Sequence, residues 1–460
     1  MVKPSLRELI LFIIICMGCR AVDSQVEKMI SIKGEVMKEK ENTKRNAIRV
    51  KEMDALVAGV GDYVGSKICG GCHPENYEGW KTTLHSKLIQ KPNQPGALVA
   101  DFSKLDISPQ FKLEDVDLLL GSRFKQRFMK KIGDDYYMLP IQWNVATKEW
   151  VRYFPRDEWW VSRYPEDWKE RPTSKLCDGC HSTGLIGTGT TFIEWNIACE
   201  ACHGPGAEHM EAELSLGPGK GAGAKIVNPA KLPFDRANDV CFQCHLAGRP
   251  PDGSRYADRD YPVGYLPGDD LSKYRSPAPS PVGEGHESHE FFKDGISKKN
   301  RNQGNDFIQS QMYNRGIRCF DCHNPHSGKY TAMVYKPGNS LCLTCHGANS
   351  PAGPPEGSIS EHTHHKADSP GSLCMECHMP RVGKNAVALE SRSHCFDFDF
   401  VSPERTVIND HPNACNRCHQ DKTTEWALRS LRDWGGKGRW KWQRGLQELR
   451  EQVLGKKEAN

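Results

Sequence analysis

One short pattern recurs through this chain and constrains it more than anything else. C-x-x-C-H occurs eight times, beginning at Cys69, Cys177, Cys199, Cys241, Cys319, Cys342, Cys374 and Cys415. Random placement of the 19 Cys and 18 His in 460 residues would give roughly 0.03 such matches. The matches consume 16 of the 19 cysteines. Zinc ribbons or disulfides would not require a histidine directly after every second cysteine. Covalent attachment of a c-type haem does: two thioether-forming cysteines and an adjacent imidazole for the iron. The attachment cysteines are then Cys69, Cys72, Cys177, Cys180, Cys199, Cys202, Cys241, Cys244, Cys319, Cys322, Cys342, Cys345, Cys374, Cys377, Cys415 and Cys418. The proximal ligands are His73, His181, His203, His245, His323, His346, His378 and His419, one for each of eight haem c groups.

That cofactor load reshapes every other expectation. Only 37% of the residues are hydrophobic and the mean hydropathy is −0.64. Buried macrocycles, not a large aliphatic core, would supply the apolar interior. The expected fold is therefore mainly α and irregular, a multihaem cytochrome c fold organised by its haems, and the 42 Gly and 29 Pro suit long loops. The stretch YYMLPIQWNVATKEWVRYF (Tyr136–Phe154) alternates bulky and polar residues about a turn, which predicts a β-hairpin within a small β-containing insert over about 100–170. Trp143, Trp150, Trp159, Trp160 and Trp168 crowd that region and read as packing.

Domain limits follow the motifs. Lys3 and Arg7 precede the apolar run ILFIIICMG (Ile10–Gly18), too short to span a bilayer, so residues 1–21 read as a signal peptide. Cys19 is an alternative lipid-attachment point. Residues 22–62 are a charged tether or helix, 63–422 the octahaem cytochrome domain, and 423–460 a C-terminal helix with a basic tail. Export places the protein in the periplasm or at the outer cell surface, where cysteines meet an oxidising compartment. The formal charge of +4 falls to about −4 once eight ferric haems with ionised propionates are counted. The surplus of Lys and Arg then reads as propionate pairing, and no nucleic-acid motif is present.

Ten further histidines remain for eight vacant axial positions. In CFDCHNPHSGKY, His326 follows His323 by three residues, too close to wrap round to the opposite face of the same haem. It can serve only a different one, which requires neighbouring cofactors to lie within side-chain reach. The motif starts from Cys177 onward are 22, 42, 78, 23, 32 and 41 residues apart, which leaves little protein between them. His85, His209, His326 and His394 are the leading distal candidates. One of His362, His364 and His365 is expected on iron, with His364 and His365 carried as candidates. His286, His289 and His411 divide evenly between ligation and ordinary surface roles.

The strings SKICGGCHPENYEGWKTTLH, IACEACHGPGAEH, IRCFDCHNPHSGKY, LCLTCHGANS, SPGSLCMECHMP and PNACNRCHQDKTTEWA resemble a family of exported multihaem cytochromes. That family is similar to the tetrahaem cytochrome of ammonia oxidisers and to octahaem hydroxylamine oxidoreductase, and is often fused to tetratricopeptide repeats. The resemblance runs from about Tyr63 to Trp434. It implies an electron carrier, with His85, His209, His326 and His394 where the family's distal histidines stand.

Three functions are open on these grounds. The first is electron transfer through closely packed bis-histidine haems between exported redox protein partners. The second is an oxidoreductase with one open haem acting on nitrite, hydroxylamine or a sulfur oxyanion. Its candidate region is 250–315, where Tyr256, Tyr261, Tyr265 and Tyr274 read more simply as surface residues of a covering loop. The third is a subunit of a conductive extracellular assembly, oligomeric or filamentous.

Overall fold

The computed structural model describes residues 63–108, 110–153, 167–185, 190–217, 219–221, 225–277, 290–299, 302–348 and 358–434. The expected signal peptide, tether and basic tail, together with Trp159, Trp160, His286 and His289, lie outside the described residues.

Six short helices carry attachment-motif residues: Ser66–Cys72, Asp178–His181, Glu200–His203, Cys319–Cys322, Asn339–Cys342 and Cys374–His378. In six motifs the histidine N–H donates to the carbonyl of the first cysteine, at 2.8–3.1 Å (His73 to Cys69, His181 to Cys177, His203 to Cys199, His323 to Cys319, His346 to Cys342, His419 to Cys415). One such turn places residues i, i+3 and i+4 on one face. Both cysteines and the imidazole of each motif therefore point the same way. Longer helices appear where a motif is extended or flanked: Pro74–Lys81, Ala207–Leu216, Phe234–His245 and Thr424–Trp434.

The largest sheet among the described residues is six-stranded, in the order β1 (Ile89–Gln90), β2 (Leu118–Leu120), β3 (Lys125–Ile132), β5 (Ile141–Asn144) and β6 (Glu149–Arg152), with β4 (Asp135–Met138) also paired to β3. All pairings are antiparallel. β3 and β4 are joined by Gly133-Asp134, and Gly133 has φ +64°, which a two-residue hairpin loop of this kind needs. β5 and β6 form the hairpin anticipated between Tyr136 and Phe154, in register Trp143 to Trp150. Asn144 opens its turn by accepting from the Ala146 N–H at 3.0 Å.

Alternation along the strands sends side chains to two faces. One face carries Leu119, Phe128, Ile141, Trp143 and Trp150, packed with Phe102, Phe111 and Trp168. Trp150 also donates its indole N–H to the Asp101 carbonyl at 2.8 Å. The other face carries Leu118, Leu120, Met129, Met138 and Tyr153, packed with Cys177 and Trp195. The sheet thus backs directly onto the second attachment motif.

The tyrosine-rich stretch after Gly248 is irregular, as expected, but its tyrosines are not on the surface. Tyr256, Tyr261, Tyr265 and Tyr274 are buried, and Tyr274 is 1% exposed. Their rings supply apolar area that this hydrophilic chain otherwise lacks. Tyr261 donates to the Ser174 carbonyl at 2.6 Å and Tyr274 to Asp269 at 2.8 Å.

Candidate cofactor-binding site

A single continuous cavity of about 4060 Å³ runs through the protein. An ordinary small-molecule pocket holds roughly 300–1,000 Å³, so this space suits several large ligands at once. Residues from seven of the eight motifs line it, while Cys415–His419 lie outside.

Five motif imidazoles face partners, four of them across this space and His419 outside it. His73 faces His209 with ring centroids 6.5 Å apart, and His203 faces His326 at 6.1 Å with planes only 9° apart. His245 faces His85 at 6.3 Å, His378 faces His362 at 6.3 Å, and His419 faces His365 at 6.1 Å. His394 lies close enough to His323 to feel its charge. Two imidazole nitrogens about 2 Å either side of one metal, plus roughly 1 Å from each nitrogen to its ring centre, give a centroid separation of about 6 Å. The pairs hold that separation.

The second ring nitrogen decides which atom is free to bind. His203 Nδ1 lies 2.8 Å from the Val227 carbonyl, His323 Nδ1 2.8 Å from Ala332, His378 Nδ1 3.0 Å from Phe396 and His394 Nδ1 3.2 Å from Arg392. A carbonyl can only accept, so Nδ1 carries the proton and Nε2 is left with its lone pair. Ligating histidines are held by this kind of outer contact. Burial also pushes His85 and His394 down to about 4, with neighbouring imidazoles adding to the effect, so both are neutral and able to donate electrons at ordinary pH.

The distal histidines arrive by defined local devices. Asn324 accepts from the His326 N–H at 3.0 Å, which turns the chain after His323. Gly328 N–H then donates to Thr82 Oγ1 at 2.9 Å, tying that turn to the segment leading into His85. Ser358 and Glu361 form a reciprocal cap that starts the helix Ile359–Thr363, which carries His362. His364 ends that helix in a left-handed conformation, φ +54°. Its ring stacks on Trp434 at 4.5 Å rather than facing a motif histidine. Of the trio, His362 and His365 face motif histidines and His364 faces Trp434. His411 is also placed elsewhere: Nε2 lies 3.0 Å from Asp294 Oδ2 and Nδ1 3.1 Å from the Pro412 carbonyl, so neither nitrogen is left for metal. His346 lies close enough to His378 for each to feel the other's charge.

Cysteine contacts give the motifs a spatial order. The Cys69 thiol lies beside Cys199, Cys241 beside Cys319, and Cys342 beside Cys374. Between these pairs, Cys202 is electrostatically close to Cys241, Cys322 to Cys345, and Cys377 to Cys418. Cys180 Sγ lies 3.9 Å from the Gln243 carbonyl, beside the fourth motif. The succession is one, three, four, five, six, seven, eight, with the second motif flanking the fourth.

The cavity suits haem on a further count. Tyr265 Oη and His209 Nδ1, both on residues of its wall, are buried without a protein partner, a costly arrangement unless a ligand fills the space. Among the described residues no three or more His, Cys, Asp or Glu side chains converge as they would around a zinc ion.

Known proteins point the same way. A doubled CXXCH motif model matches residues 312–351, which contain the fifth and sixth motifs. The dissimilatory sulfite reductase MccA of Wolinella succinogenes is 22% identical over 69% of this chain and 50% of its own length. The multiheme cytochrome MtrA of Shewanella baltica is 26% identical over 33% of this chain and 42% of its own. The chain spans about half the length of these curated relatives. The crystal structure of the outer cell wall cytochrome OcwA aligns with a TM-score of 0.61 at 23% identity, covering 81% of this chain and 87% of that one. No helix among the described residues is long and apolar enough to cross a membrane.

Proposed function

We propose that this chain, a multihaem c-type cytochrome, conducts electrons along eight haem c groups between redox protein partners outside the cytoplasm. Bound haem c supplies a one-electron ferric/ferrous couple at each motif. The protein's own part is to hold, orient and crowd. The motif cysteines fix each site, and the motif imidazoles bind from one face. His209, His326, His85, His394, His362 and His365 bind from the other, at motifs one, three, four, five, seven and eight. Two neutral imidazoles at such a site would hold a metal with little rearrangement as its charge changes, which would favour fast electron exchange, and would not raise the potential as a thioether would.

The observation that carries this reading is the set of five imidazole pairs at 6.1–6.5 Å. Order along the path follows the cysteine contacts, so motifs one and eight are the terminal sites for exchange with partners. An exported location is supported by the apolar N-terminal run and by the cell-wall setting named for the OcwA structure. The sulfite reductase among the relatives keeps substrate reduction as a second reading.

The test is haem quantification with low-temperature EPR, followed by protein-film voltammetry. Eight haems per chain, at least six low-spin ferric centres and a broad low-potential multi-electron wave are expected. A majority of high-spin irons would sink the proposal.

A further inference from the structure

The structure assigns Glu200, the second residue of the third motif, as the positioning residue for both axial ligands of the first. The assignment rests on the ligation proposed above, His73 and His209 on one iron, and names what holds that pair in place. Glu200 is 1% exposed although it lies on the cavity wall. Its carboxylate accepts from the backbone N–H groups of Val64 at 2.9 Å, Gly65 at 2.8 Å and Gly206 at 2.8 Å. A buried carboxylate is costly unless it is hydrogen-bonded, and three charge-assisted bonds of this length satisfy it.

These bonds reach both ligand segments of motif one. Gly65 precedes the helix Ser66–Cys72, and its carbonyl accepts from the Cys69 N–H at 3.4 Å. That helix ends at His73, whose N–H donates to the Cys69 carbonyl at 2.9 Å. Gly206 caps the start of the helix Ala207–Leu216, which carries His209, and its carbonyl accepts from the Met210 N–H at 2.9 Å. Val64 and Gly206 share Oε1, so one oxygen joins the proximal segment to the distal one across 142 residues of sequence. Glu194 strengthens the proximal side by accepting from the Ser66 N–H and hydroxyl, both at 2.7 Å. Motif one is a terminal site of the proposed path, so this clamp governs where electrons enter or leave. An amide has one acceptor oxygen and an NH₂ that can only donate. Glu200→Gln therefore sets a donor against at least one of the three N–H groups.

Carbon monoxide on the reduced holoprotein is the probe. It takes a ferrous iron only where the distal imidazole has left, so its apparent affinity measures the unligated fraction. His209→Ala marks the haem concerned as the one that gains tight binding in the Soret band. Glu200→Gln should tighten binding at that same haem about tenfold or more, the worth of one charge-assisted bond. Added to His209→Ala, it should change nothing further. Gly206→Ala is a milder second variant: its Cβ would stand 3.1 Å from Glu200 Oε1, pressing the carboxylate off the Gly206 N–H while keeping the charge. About threefold tighter binding at the same haem is expected there. Unchanged affinity in Glu200→Gln overturns the assignment. So does a further change when it is added to His209→Ala, which would show Glu200 serving its own motif. If Glu200→Gln does not accumulate, Gly206→Ala decides by the same criterion. Failure of the electron-transfer reading would show in the wild type itself, as missing haems or missing low-spin centres.

Discussion

Gly79 separates a generic expectation from one specific to this fold. It lies inside the helix Pro74–Lys81, where replacing Gly by Ala ordinarily adds about 1 kcal/mol of stability. Here a Cβ at position 79 would stand 2.2 Å from the His326 carbonyl oxygen, and real Cβ contacts essentially never fall below 3.0 Å. The His326 backbone would have to retreat by at least about 0.8 Å. Backbone cannot rotate away as a flexible side chain can, and overpacking of this kind costs about 1–3 kcal/mol. His326 is also the ring facing His203 at 6.1 Å, and a metal–nitrogen bond of about 2 Å cannot stretch by 0.8 Å and survive. Gly79→Ala should therefore lose up to about 2 kcal/mol net in guanidinium unfolding followed by the Soret band. It should also gain high-spin character at one haem in EPR. A variant as stable as the parent, with an unchanged spin state, would refute the close packing of the His326 turn on this helix and with it the ligation of motif three.

Other expectations divide the histidines and the scaffold. His362→Ala and His365→Ala should each convert one low-spin iron to high-spin, whereas His364→Ala should leave the spin count untouched, as EPR integration will show. Trp150→Ala removes a ring packed among Phe102, Phe128 and Trp143; it should cost about 3–5 kcal/mol in chemical unfolding while the haem spectra stay the same. Burial pushes the Asp294 carboxyl up, but the His411 hydrogen bond and charge outweigh it and hold the group below its ordinary value. Its stabilising contribution is thus complete above about pH 4 and is lost as pH falls through the depressed value, so wild type should lose stability more steeply there than Asp294→Asn. Mass spectrometry of Cys319→Ala/Cys322→Ala should find one haem fewer than in the parent.

Much of the site can be read from local spacing, and the rest depends on the path of the chain. A gap of three between His323 and His326 is a steric argument that needs no fold: His326 must serve another motif, and it faces His203. Its partner could not be named, because that depends on how the segments around residues 203 and 326 pack, 123 residues apart in sequence. The trio at 362, 364 and 365 shows a second limit. Which rings face motifs is decided by one helix end turning left-handed at His364, and sequence marks that only weakly because histidine is no customary cap. His411 binds Asp294, 117 residues earlier in the chain, a pairing no local pattern announces. Alternation in β5 and β6 was visible because a hairpin is local. The tyrosines after Gly248 mislead for the opposite reason: in a chain so poor in aliphatics, irregular loops fill the interior themselves.

The facing histidines also have a consequence for biogenesis. His85 and His245 come from stretches of chain 160 residues apart, and His73 and His209 from stretches 136 apart; on the proposed reading each pair would hold one iron. Every such bond closes a long loop, as a cross-link would, and removes freedom from the unfolded chain. The apolar hollow between the pairs would not stay open in water without its occupants. The polypeptide should therefore mature as a zipper: each newly attached tetrapyrrole sews a late segment to an early one. Conformational integrity becomes a running count of pigment received, and a chain one short is left unstitched at an identifiable seam.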